Sequence, residues 1–256
     1  MLIAFLISLL VSTLIGGPEE IFMIPKLEKE IKSHIADDER KNEILQIIKE
    51  AKKEIKQFGK FRKKKLKEIQ KMGVKREVSS DMMFEIFEKY NNTRLSLQSD
   101  LIEKRLTLQE LFTDEEWELI IENAVFPSEK ARKKADKQED KIEQKIDKLI
   151  ADIRGTILLN IEDENKRSKV LNSLDNYSTT LVTFIEEGQQ MNYEDNNIAR
   201  NKNAIKNELD QFYQKQNQLR YKGAIEYMQL RSTVIRNTNE KEWKAIVKDL
   251  NKFING

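Results

Sequence analysis

Apolar residues recur at three- and four-residue steps through most of the chain. Ile44, Leu45, Ile48, Ala51, Ile55 and Phe58 mark one face of a long amphipathic helix. Gly73 and the polar cluster "VSSD" (77–81, counting the preceding Glu) interrupt it, and Ser79 or Ser80 is placed to cap a second long helix over about 81–111. A short helix is expected near 27–35, ahead of the first long one. Thr113, with Glu116 three residues on, has the spacing of a capping box, in which a side chain at each position satisfies a backbone amide of the other. That box opens a short helix carrying Trp117.

The same order is written again. Shifted by 126 residues, "IADDERKNEILQII" (35–48) lies over "IEDENKRSKVLNSL" (161–174), and "TDEEWELI" (113–120) over "NEKEWKAI" (239–246). Asn91, Arg94, Arg105, Glu116 and Trp117 meet Asn217, Arg220, Arg231, Glu242 and Trp243. In the second copy the first long helix is expected to break near "GQQMNYEDNN" (188–197), with the next helix over about 196–236. The pattern predicts an all-α fold of two tandem duplicated helical units after an apolar N-terminal segment. Each unit has long antiparallel helices and a short Trp-bearing helix. The expected division is a membrane anchor or signal segment at 1–17, repeat 1 at 26–126, a charged connector helix at 127–152, and repeat 2 at 153–256.

Residues 1–15 carry no charge and are followed by Gly16, Gly17 and Pro18. The run is short for a bilayer span and lacks a basic leader, so an uncleaved anchor is favoured over a cleaved signal, and both over a buried core helix. Lys26, Lys29 and Lys32 follow the run, which for an anchor would keep the chain on the cytoplasmic side. A cleaved signal would place it outside, so the side of the membrane is left open.

Composition narrows the chemistry. Charged residues make up 35% and only 8 Gly and 3 Pro occur, as in long helices. Net charge is +2, too small for a global attraction to nucleic acid. There is no Cys and a single His, His34, so neither a thiolate nor a two-histidine metal site can be built. No phosphate loop, dinucleotide fingerprint or nucleophile elbow occurs. These absences argue for a non-enzymatic protein with no cofactor and no metal. The acid pairs Asp37/Asp38 and Asp163/Glu164 stand where helices begin, and capping explains them better than a cation site.

Two features remain for binding. Asn91, Arg94 and Arg105 share a helix face with large apolar residues, as do Asn217, Arg220 and Arg231. An inward-facing Arg needs a partner, and Asp37, Asp163, Glu116 and Glu242 are the candidates. A polar clasp fixing helix register is the first reading, and an anion or peptide groove the second. Trp117 and Trp243 are expected as core anchors. The second feature is the basic run 60–76, with Lys60, Arg62, Lys63, Lys64, Lys65 and Lys67 at its centre. The matching stretch 186–202 holds four acids and two bases. An anionic membrane surface or an acidic protein fits it, whereas a lone aromatic, Phe61, speaks against nucleic acid. The phrase "LTLQELFTDEEWELI" (106–120) resembles phrases of small periplasmic helical chaperones and metal sensors over those few residues, and implies no site here. The expected function is therefore a membrane-associated helical scaffold, with an envelope chaperone or a small-ligand sensor using an Arg-lined groove as the alternative.

Overall fold

A computed structural model describes residues 21–22, 24, 26–122, 129–198 and 201–252; the side chains of 122, 129–143, 145, 185, 188–197 and 248–252 lie outside that description. The fold is all-α, and no strand occurs among the described residues. The helices are α1 (Leu27–His34), α2 (Asp38–Gly73), α3 (Ser80–Leu111), α4 (Asp114–Trp117), α5 (Glu129–Asn160), α6 (Glu164–Ile198), α7 (Lys206–Asn237) and α8 (Glu240–Lys252). A π-helical turn, Glu118–Glu122, continues α4.

Helix starts follow local capping chemistry. Asp37 accepts the amide of Arg40 at 3.0 Å, and Ser79 that of Met82 at 3.2 Å. At α4 both halves of the capping box form: the Glu116 amide donates to Thr113 Oγ1 at 3.2 Å, and the Thr113 amide to Glu116 Oε2 at 3.0 Å. Asn239 and Glu242 repeat this at α8, at 3.0 and 2.6 Å. The starts of α2, α3 and α4 precede those of α6, α7 and α8 by 126 residues each. Smaller features keep the same spacing. The Ile35 and Ile161 amides each close a helix at 3.0 Å, onto Ile31 and Ile157. Lys41 donates to the Ile35 carbonyl as Arg167 does to that of Ile161.

Two expectations about boundaries change. The expected break at 188–197 lies inside α6, which runs on to Ile198. Gly188 costs a helix only about 1 kcal/mol, and the chain turns where its carbonyls are held by another helix, at Ile198, Asn201 and Ala204. The charged connector and the first helix of the second half are one continuous element, α5, so no break separates residues 152 and 153.

α2 lies antiparallel to α3: Arg40 reaches Leu111, Lys104 meets Glu54, and Phe58 packs on Tyr90 with ring centroids 5.7 Å apart. α6 and α7 form the matching pair, and α3 packs across α7. One core cluster, around Ile44, Ile48, Leu108 and Trp117, belongs wholly to the first half. The largest cluster is built on Val170, Leu174, Leu181 and Trp243, but also takes Ile69, Val78, Met83 and Tyr90 from the first half. In return, Ile102 of α3 packs with Ala204, Leu209, Phe212 and Tyr213. Two of the three clusters are thus shared between the halves, while the third belongs to the first half alone.

Candidate functional site

The polar residues of α3 and α7 sort into a buried clasp and an open groove. Arg105 is 0% exposed. Its Nη2 donates to the carbonyls of Ile198 and Asn201, both at 3.0 Å, and its guanidinium lies 5.5 Å from the centre of the Trp117 ring. Arg231 makes the mirror arrangement: Nη2 donates to the Lys75 carbonyl at 2.6 Å, and the guanidinium lies 5.6 Å from the Trp243 ring. Lys75 and Asn201 are themselves 126 residues apart, so each half's turn is held by the other half's arginine. The neighbouring position repeats the exchange. Arg76 donates to the carbonyls of Ile235 and Thr238, while Lys202 bonds Asp114.

These arginines stay cationic at neutral pH. Burial pulls Arg105 down to about 10, against the opposing pull of Tyr213. Burial also lowers Arg231, opposed by Tyr227 and by Glu77. An aromatic face and carbonyl oxygens replace the water that a guanidinium loses on burial. Arg94 donates to Asn91 Oδ1 at 2.8 Å and lies 5.8 Å from the Tyr90 ring; Arg220 donates to Asn217 Oδ1 at 3.3 Å.

The four acids put forward as partners stand elsewhere. Asp37 and Asp163 are exposed at helix starts and accept the amides of Arg40 and Lys166, both at 3.0 Å. Glu242 accepts the Asn239 amide. Glu116 takes a two-pronged bond from Arg40, 2.7 Å at each oxygen, while Arg40 also donates to the Leu111 carbonyl. Burial alone would raise the Glu116 carboxyl, but Arg40 and the Thr113 amide outweigh it and hold it below the usual range. The sequence marks neither the backbone carbonyls at two turns, which every residue carries, nor Arg40, which stands 76 residues from Glu116. Trp117 and Trp243 are both buried, Trp117 edge-on to Phe112 at 5.8 Å.

The groove is a separate feature. It encloses about 550 Å³ between α3 and α7. Of the six polar residues expected to form it, Asn91 and Asn217 line it; the four arginines are buried and do not. Asn217 Nδ2 donates across it to Gln98 Oε1 at 2.9 Å. Leu95 and Tyr221, again 126 residues apart, stand at its rim, 41% and 36% exposed. Tyr221 also packs on Phe84 and Phe87, at 5.8 and 6.1 Å between centroids. Gln214 and Gln218 add carboxamides to the lining.

On α2, Lys60, Lys63, Lys64 and Lys67 are exposed. Arg62 and Lys65 are half-buried on the flanks, and Lys65 bonds Glu68 at 2.7 Å. His34 is exposed, its Nδ1 2.9 Å from the Glu30 carbonyl. Among the described residues no group of His, Cys, Asp or Glu is placed to hold a metal ion. The apolar segment 1–17 lies outside the described residues, and none of the described helices is long and apolar enough to cross a membrane. No protein-family model matches the chain, and no curated protein or solved structure matches it significantly.

Proposed function

We propose that this chain is a membrane-associated, non-enzymatic interaction protein that takes a segment of a protein partner into the groove between α3 and α7. One observation carries the reading: exposed apolar side chains, Leu95 and Tyr221, stand in the groove with five carboxamides, beside one acid, Asp210, and one base, Lys222. Carboxamides both donate and accept, which suits the alternating amides and carbonyls of a polypeptide backbone. The apolar rim gives side chains of the partner something to cover. The occupation of Arg105 and Arg231 by carbonyls and indole rings counts against the alternative, an arginine-lined anion sensor. The uncharged run 1–15 supports attachment to a membrane. The recurrence of caps, turns and Arg–Trp contacts at a spacing of 126 residues supports descent of both halves from one copied module.

A photo-crosslinking residue at position 95 or 221 of the full chain tests the groove in living cells. Discrete crosslinked species are expected from both positions, and their loss on introducing Leu95→Asp into the position-221 probe. Crosslinks from an exposed α6 position such as Thr179, with none from 95 or 221, would sink the reading.

A further inference from the structure

We infer that the outer face of α2 is a docking surface for anionic lipid headgroups, along which the helix lies parallel to the membrane plane. This deepens the membrane-association half of the proposed function and is independent of the groove. Lys49, Lys53, Lys56, Lys60, Lys63, Lys64, Lys67 and Lys71 follow one another at steps of three or four, with one step of a single residue, and all eight are exposed. Such steps keep one side of a helix, so the lysines form a stripe about 33 Å long. Glu50, Glu54 and Glu68 fall within the same span but off the series, and none of the eight lysines is in an ion pair among the described residues.

Exposed lysines alone would mean little, since helix surfaces are commonly charged. The matching helix supplies the control. The residues 126 positions on are Asp175, Thr179, Val182, Glu186, Gln189, Gln190, Tyr193 and Asn197, with no base and two acids. The two helices start at equivalent positions and pack on equivalent partners, so the fold does not require the stripe.

The place where the chain enters the fold favours lipid as the partner of the stripe. Ile21 and Phe22 pack in the cluster that contains Ile44, Ile48 and Ala51 of α2, and Glu28 meets Lys52 at 2.7 Å. The link to the apolar run therefore joins the fold at the end of α2 where the stripe begins, with Lys52 on the flank between its packing face and the lysines. A tether ending there keeps α2 close to the membrane, and with the helix lying along the surface each lysine within a Debye length of the headgroups strengthens partitioning roughly fivefold. Nucleic acid would be served by aromatic side chains for stacking, but Phe58 and Phe61 pack on Tyr90 instead.

The absence of cysteine makes the test direct. The full chain, with a polarity-sensitive fluorophore on Gln57→Cys beside the stripe or on Glu186→Cys of α6, is added to vesicles of phosphatidylcholine, with or without phosphatidylserine. The label at 57 is expected to shift to the blue only with phosphatidylserine, and high salt to reverse the shift. The label at 186 should not respond. K60Q/K63Q/K64Q/K67Q, with helical circular dichroism intact, should weaken the phosphatidylserine response about a hundredfold or more. An equal signal at 57 with and without phosphatidylserine overturns the inference, as does a variant that binds unchanged. A shift with single-stranded RNA but not with phosphatidylserine reassigns the stripe and overturns it too. Flotation with phosphatidylcholine alone reports the tether separately, so loss of that flotation would remove the anchor without deciding the stripe.

Discussion

Arg105 shows how a charge is kept inside this bundle. It has given up water entirely, and two carbonyls and an indole face take its place. Arg105→Ala removes that donor from the carbonyls of Ile198 and Asn201 and opens a cavity beside Trp117. The expected cost is about 2–4 kcal/mol, a fall in melting temperature of roughly 5–15 °C. Arg231→Ala should act in the same direction through the Lys75 carbonyl. An unchanged melting temperature in thermal circular dichroism would rule out a structural clasp. The sequence marks these arginines, because a charge repeated among apolar positions of a helix is conspicuous. It does not mark their partners. Every residue has a carbonyl, so which one receives the guanidinium depends on where the turns dock.

Single helices were the most legible scale. Caps are decided within four residues, so Thr113 with Glu116 and Asn239 with Glu242 could be read directly, and both pairs form. Thr113→Ala and Asn239→Ala are each expected to cost about 1 kcal/mol, read as a lower urea midpoint at unchanged slope. A cost confined to one site would separate the two Trp-bearing corners energetically. The end of α6 was not legible. Gly188 and a polar stretch mimic a stop, yet the helix continues for ten further residues to the point where Arg105 and Gln109 bind the turn. A helix stop set by tertiary contact carries no local signal.

Over the whole molecule the halves depend on each other. Val78 and Met83 of the first half complete the second half's core, and Ala204 and Leu209 of the second pack on Ile102 of the first. A fragment of residues 21–126 alone should therefore lack a cooperative thermal transition, and mixing it with residues 127–256 should restore one. A sharp melt of the isolated fragment would show instead that each half is a self-sufficient domain.

Periodicity and capping are local, so the sequence by itself determined the helical class, most helix starts, the 126-residue recurrence and the inward faces of α2, α3 and α7. It also placed a lysine stripe on α2 and none on α6. Only the tertiary structure decided the rest: that α3 crosses α7, that each arginine holds the other half's turn, and that an open groove separates Leu95 from Tyr221. Those contacts join residues some 90 to 160 positions apart, and at that distance nothing but the packing of the helices brings a donor to its acceptor.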